Sequence, residues 1–252
     1  MFLVPSLSST LTHEENASAI CTPPPFVNRL LATLPSKDHQ RFLANCEPVE
    51  LHFAEVLSEP GERIRHVYFP TDSFVSLVTL VDGHAGLEVR LVGDEGMIGT
   101  PLVLGVELTL LRTVVQGAGP AWRTTPVLFR DALRQSSALQ ATLNRYLYVL
   151  MIQLGQMAAC THFHVVEARL ARWLLMTQDR AHSDNFHATH EFLAFMLGVR
   201  RVGVTQAASA LQQRKLIRYS RGDITVLDRA GLEATSCGCY DAAKALYDRI
   251  LG

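Results

Sequence analysis

At 252 residues and 48% apolar content, the chain has enough material for packed cores in one or two domains, which excludes wholesale disorder. A formal net charge of −1 excludes nucleic-acid binding through a global basic field, so any such surface has to be local. The five cysteines, at 21, 46, 160, 237 and 239, form an odd and scattered set that argues against a secreted disulfide framework and fits a reducing cytoplasm.

Residues 1–25 are expected to form a flexible tail ending in Pro23-Pro24-Pro25, without the positive leading segment of a signal peptide. From Phe26 to Cys46 the pattern predicts short helices, with Ser36 as the cap of the second. The texture then changes. From Glu47 to about Thr125, short runs of Val, Leu, Phe and Tyr alternate with turn residues. The breaks are Pro60-Gly61, Pro70-Thr71-Asp72, Asp82-Gly83, Gly93-Asp94, Gly105 and Gly117-Ala118-Gly119-Pro120. Strands at such spacing predict an antiparallel, jelly-roll-like β-roll, with Asp82-Gly83 as a hairpin turn.

From about Ser136 to Cys160 no proline interrupts a long helical pattern. Its Gln153, Gly155 and Gln156 leave it short of a bilayer-spanning helix, and no membrane association is expected. Leu143, Leu147, Leu150, Leu154 and Met157 follow alternating steps of four and three, the spacing of a coiled-coil seam. Tyr146, Val149, Met151 and Ile152 lie off that seam and are also apolar. A helix that is apolar on more than one side needs more than one partner. The expectation is a homodimer through the leucine seam, with the other side against the roll; a core helix of a monomer is the alternative.

A second helix is predicted from Val165 to about Gln178, then a polar loop from Ala181 to Ala188. Thr189 caps a short helix, His190 to Leu197, ended by Gly198, and a further helix runs from about Arg200 to Arg214. Between Phe192 and Gly222 there are six basic residues and no acid. Two helices joined by a short turn make a helix-turn-helix. Leu193, Met196, Val204, Ala208 and Leu211 are spaced to pack the pair together, which leaves Arg200, Arg201, Thr205, Gln206 and Ser209 outward. Arginine matches the two acceptors of guanine, glutamine matches the acceptor and donor of adenine, and Thr205 and Ser209 are short enough to allow approach to phosphates. Leu216–Tyr219 and Ile224–Leu227 predict a hairpin wing that carries Arg218 and Arg221 toward the backbone. The expected partner is double-stranded DNA. A module whose C-terminal helices dock a protein instead is the alternative, and salt dependence separates the two.

The stretch HEFLAFMLGVRRVGVTQAASALQQRKLI resembles the helix-turn-helix of the Crp/Fnr superfamily, and RYSRGDITVLDRAGLE resembles its wing and following helix. Upstream, GERIRHVYFPTDSFVSLVTLVDG and GDEGMIGTPLVLG resemble strands and the short-helix region of its cyclic-nucleotide-binding roll. The resemblance implies an α+β chain with a sensor β-roll over 26–135, a dimerisation helix and hinge over 136–162, and a winged helix-turn-helix over 163–252. It further implies a homodimer on a near-palindromic promoter site, contact with RNA polymerase, and a small-molecule effector in the roll near Gly96, Met97, Ile98, Gly99, Thr100, Arg112 and Tyr146. Two departures stand out. Where cyclic-nucleotide-binding members carry glutamate after the glycine and arginine several residues on, this chain has Thr100 and Thr109, with Arg112 three residues late. The expectation is therefore an effector other than cAMP, or constitutive activity. Val202 and Gln206 replace the glutamate and second arginine of the best-known recognition helix, so the base preference differs.

Cys237-Gly238-Cys239 has one residue between its thiols and no evident second pair, too little for a zinc site, and the early cysteines do not supply an iron–sulfur cluster. Cys160, His162 and His164 are read as ordinary hinge polarity, because nothing pairs them with further ligands; ligation of haem or metal, or sensing of pH or oxidation, is the alternative. No metal or cofactor is expected. Neither is an enzyme, since no nucleophile–base pairing emerges.

Overall fold

The computed structural model describes residues 27–80 and 86–252; Cys21, the tail through Pro25 and the Asp82-Gly83 turn lie outside them. Two short helices lead in, α1 (Arg29–Ala32) and α2 (Ser36–Leu43). The Asn28 side chain caps α1 by accepting from the Leu31 N–H, and it donates to the carbonyls of Pro70 and Gly96. The expected cap at Ser36 is corrected: Pro35 holds the N-cap, Ser36 is the first helical residue, and no side-chain cap forms. The proline ring presets the turn into the helix one position earlier.

The roll follows: β1 (Glu47–Leu51), β2 (Val56–Ser58), β3 (Val67–Pro70), β4 (Phe74–Thr79), β5 (Leu87–Val92), β6 (Arg112–Gly117) and β7 (Gly119–Thr124). They pair antiparallel into two sheets, ordered β1-β7-β3 and β2-β6-β4-β5. Side chains alternate between faces along a strand. Tyr68 therefore joins Leu51, Val75, Val92, Val115 and Ala121 between the sheets, while Val67 and Phe69 point the other way onto helices. With both faces covered, all of β3 is buried. The chain changes sheet between β6 and β7 at Gly119, where φ is 147° and a Cβ would stand 2.9 Å from the Asp72 carbonyl oxygen. Only glycine fits that step.

Two helices then cover the three-stranded sheet, α3 (Pro126–Gln135) and α4 (Ser137–Phe163). Ser136 caps α4 by accepting from the Leu139 N–H and donates 2.7 Å to Asp38. The buried face of α4 is Leu139, Leu143, Tyr146 and Val149, at helical steps of four and three. Tyr146 is wholly enclosed, and its hydroxyl accepts from the Met97 N–H at 2.8 Å and from Arg90 at 2.5 Å. No helix among the described residues is long and apolar enough to cross a membrane.

The C-terminal part contains α5 (Val166–Ala181), β8 (Asn185–His187), α6 (His190–Leu197), α7 (Arg201–Gln213), β9 (Ile217–Ser220), β10 (Asp223–Val226), α8 (Arg229–Thr235) and α9 (Cys239–Leu251). The segment expected as a polar loop before Ala188 is corrected in part: Asn185–His187 pairs with β10, so the wing is a three-stranded sheet, β8-β10-β9. Its one inward residue, Phe186, packs edge-on against Trp173. A three-residue strand is too short to show a period in sequence.

Two features tie the halves together. The indole of Trp173 donates 3.0 Å to the buried carboxylate of Glu88 on β5, and Arg180 pairs with Glu95 at 2.6 Å. Helix α9 turns back along α4, so that Leu251 enters the core shared by α1, α3, α4 and β3.

Candidate nucleic-acid interface

The helix-turn-helix forms as its spacing requires. Thr189 accepts from the Phe192 N–H to cap α6, and Gly198 closes it in the left-handed conformation at φ 62°. Leu193, Met196, Val204, Ala208 and Leu211 are buried in one core with α5 and the wing. What remains on the outside of α7 is Arg201, Val202, Thr205, Gln206 and Ser209, with Arg200 at its N-cap, all exposed. The wing adds Arg218 on β9 and Arg221 at its turn, also exposed. Arg221 and Gly222 have φ of 53° and 96°, the paired positive values of a tight two-residue hairpin turn. A Cβ on Gly222 would meet the His187 ring at 2.5 Å.

Among the described residues, none of Arg200, Arg201, Arg218 and Arg221 is paired with a carboxylate. Arg214 differs, since Glu167 and Thr235 hold it at 3.1 and 2.9 Å. The five arginines of the basic segment therefore divide into four unpaired and outward and one tied into the fold, and Lys215, the sixth basic residue, is also exposed. Sequence reasoning missed His190. Its ring stacks on Tyr219 at 4.1 Å and its Nδ1 lies 3.1 Å from the Thr205 hydroxyl, which links the start of α6, α7 and the wing. Burial, then the charge of Arg201, holds this histidine below its ordinary pKa. Nothing in a linear sequence announces a stack across so many residues.

The roll carries an open cavity of about 430 Å³ lined by Leu57, Ile64, Leu77, Leu108, Leu110 and Leu111 and also by Arg65, His66 and Tyr68, with Leu147 of α4 as part of its wall. Of the expected effector residues, Ile98, Gly99 and Thr100 line it. The other four do not. Met97 is packed in the helical core, Tyr146 is enclosed beneath it, Gly96 lies against the Tyr146 hydroxyl, and Arg112 pairs with Glu59 at 3.3 Å. Thr109 does line the cavity, and its hydroxyl is spent on the Leu111 carbonyl. Among the described residues no carboxylate lines the cavity to partner a ribose hydroxyl.

The expected seam of α4 is turned by about one residue. Leu143 is buried within the chain, Leu150 packs on the same core, Met157 accepts from Arg172, and Leu147 faces the cavity; of the five, Leu154 is exposed. The outward apolar stripe consists instead of Tyr148, Met151, Ile152 and Leu154, followed by Gly155, Ala158 and Ala159. Leucines at steps of four and three exist on both sides of this helix, and packing against the roll decides which are available. Of the residues expected at the hinge, Cys160 and His164 come together with Cys237 and Cys239, while His162 stacks edge-on against Phe163.

The Crp-like helix-turn-helix domain family matches residues 168–235. No curated protein matches the chain in sequence. Among solved structures, the chain is similar to a transcriptional regulator of the Crp/Fnr family from Eubacterium rectale ATCC 33656, at 16% identity and a TM-score of 0.65, over 82% of this chain and 96% of that one. It is similar to FixK2 from Bradyrhizobium japonicum at 13% identity and a TM-score of 0.64, over 76% and 98% of the two chains. A CRP-family transcriptional regulator from Thermus thermophilus matches at 19% identity and 0.63, over 75% and 96%.

Proposed function

On the premise that this chain is a Crp/Fnr-type transcription regulator with a helix-turn-helix DNA-binding domain, we propose that it binds a near-palindromic duplex site as a homodimer. The observation that carries this reading is the set of four exposed, unpaired guanidiniums, two at the start of α7 beside Thr205, Gln206 and Ser209 and two on the adjoining wing, with the other face of α7 buried. Arg200, Arg201 and Gln206 would meet bases or phosphates at the start of α7. Thr205, Ser209, Arg218 and Arg221 position the helix on the backbone. The outward stripe Tyr148-Met151-Ile152-Leu154 is where a second α4 would pack, and apolar exposure of this extent on one helix supports that role.

The roll's cavity supports an effector other than a cyclic nucleotide, because its lining, aliphatic apart from Arg65, His66, Tyr68 and a few hydroxyls, holds no carboxylate among the described residues. Leu147 belongs to both the cavity wall and the central helix, so a ligand there touches the element through which the two chains would meet. A polymerase contact follows from the same reading. A largely apolar protein partner on α7 and the wing is disfavoured by four uncompensated charges.

Selection of bound sequences from random duplex DNA, followed by a salt titration on the winner, tests the proposal. An enriched palindrome with a steep salt slope is expected. Gln206→Ala should relax preference at one base pair per half-site. Arg221→Ala should weaken all sequences alike and reduce the slope by about one per protomer. A binding profile untouched by Gln206→Ala would refute the docking.

A further inference from the structure

At the end of α4, Cys160 lies on the last turn and His164, four positions on, is the C-cap residue. Cys237, in the loop before α9, and Cys239, the first residue of α9, come against them. The Cys160 and Cys237 sulfurs are 3.6 Å apart, the Cys239 sulfur is 3.6 Å from His164 Nδ1, and all four donor atoms lie within 4.8 Å of one another. We propose that these four side chains form a mononuclear tetrahedral site for a thiophilic divalent metal, zinc by preference, that staples the end of the central helix to the start of the C-terminal helix.

The geometry fits one ion. With Zn–S of about 2.3 Å and Zn–N of about 2.0 Å, the edges of a tetrahedron are roughly 3.5–3.8 Å, and both close pairs meet that range without rearrangement. Donors to an iron–sulfur cluster surround several irons and stand farther apart. Magnesium and calcium want oxygen ligands, which this set does not offer.

The plain alternative is that three buried thiols pack as small apolar groups. Charge argues against it. Arg169 and Arg172 on α5 are buried, the Nε of each has no hydrogen-bond partner, and neither forms an ion pair among the described residues, although the Glu88 carboxyl lies within charge range of Arg172. Arg169 donates to the Leu197 carbonyl and Arg172 to the Met157 sulfur. Buried cations require a nearby anion. Zinc held by three thiolates and a neutral imidazole carries one net negative charge, which neutral thiols do not provide. Gln156 Nε2 also donates 3.1 Å to the Cys239 sulfur, the kind of outer hydrogen bond that orients a thiolate ligand.

Loading replaces three S–H bonds with three metal–sulfur bonds and one metal–nitrogen bond, releases three protons to solvent, and moves no electrons. The consequence is positional. The staple fixes where α5 leaves α4, and α5 carries the helix-turn-helix core. That consequence rests on the DNA-binding reading; the metal site does not.

The test uses the full chain purified under reducing conditions, with metal content by mass spectrometry and a cobalt(II) titration of metal-depleted protein. One zinc per chain is expected, with tetrahedral ligand-field bands and a sulfur-to-cobalt charge-transfer band. Cys239→Ser should remove that signature, and Cys46→Ala should leave it unchanged. His164→Ala, at an exposed position, should shift the bands and weaken binding by more than the roughly tenfold lost with an outer hydrogen bond. If Cys239→Ser does not fold, His164→Ala carries the test. A reduced chain that takes up no zinc or cobalt, or a cobalt spectrum indifferent to both substitutions, overturns the site. A Cys160–Cys237 disulfide in metal-free protein does so too. Loss of sequence-specific DNA binding with one zinc still bound would instead count against the proposed function.

Discussion

Arg180→Met is the most direct probe of how the two halves of this chain are held. Arg180 reaches from α5 to Glu95, just beyond β5, with side-chain exposures of 15% and 10%. Burial works against the Glu95 charge, but the charge and hydrogen bonds of Arg180 more than offset it, and the carboxyl is held below its ordinary value. Methionine keeps the volume and removes the cation. At pH 7 the variant must then protonate Glu95 or keep it charged and unpaired. Protonation from a reference value of 4.5 costs about 3.4 kcal/mol, at 1.36 kcal/mol per pH unit. An unpaired buried charge costs about 3–5 kcal/mol. The variant should therefore lose about 3–4 kcal/mol in urea unfolding at pH 7. In the native chain Glu95 has a lowered folded pKa, so its contribution is present above pH 4.5 and is lost as pH falls through the folded value. In the variant the folded pKa is raised, so the deficit shrinks on acidification and falls below about 1 kcal/mol near pH 4.5. A deficit under about 1 kcal/mol at pH 7, or one of equal size at both pH values, would refute the assignment of Arg180 as the charge partner of Glu95.

Glu88 behaves in the opposite sense. Burial raises its pKa against the opposing hydrogen bonds of Ser76 and Trp173, so its contribution is full below pH 4.5 and is lost as pH rises through the folded value. Glu88→Gln should raise the urea midpoint at pH 7, by a free energy on the order of 1 kcal/mol, and leave it unchanged near pH 4. Tyr146→Phe leaves the buried Met97 N–H and the Arg90 guanidinium without their shared acceptor, and should cost about 1–3 kcal/mol in thermal or urea unfolding. Met151→Glu places a charge in the exposed stripe of α4 while leaving the buried face intact. It should convert a dimer to a monomer by light scattering and weaken binding to a palindromic site more than to a half-site.

Much of this fold was legible in the residues. The helix-turn-helix could be placed because its signals are local: a threonine cap at 189, a closing glycine at 198, and a buried set at helical spacing from Leu193 to Leu211. The division of α7 into a buried and an exposed face follows from that spacing alone. The antiparallel roll was likewise announced by turn residues between short apolar runs. The Asp82-Gly83 turn itself falls outside the described residues, although the strands on either side pair antiparallel.

Properties that depend on which of several equivalent faces meets a partner were decided by tertiary structure. Helix α4 is apolar on two sides, and the roll claims Leu143 and Leu150, so the outward stripe centres on Met151 rather than on the leucines. Whether a residue of the roll lines a cavity or a core depends on how the two sheets curve, which is why Thr109 and Leu147 face the cavity and Tyr146 and Arg112 do not. The thiol cluster is the clearest case. Cys160 and Cys237 are separated by most of the C-terminal domain in sequence, and neither the hinge group nor the Cys-Gly-Cys pair was sufficient alone. They meet because α9 reverses along α4, and that reversal is fixed by burial of Leu251 and its neighbours in a core built from the other end of the chain. Local spacing carries information about an element's own faces; convergence of distant donors is a property of the packing that only the folded chain possesses.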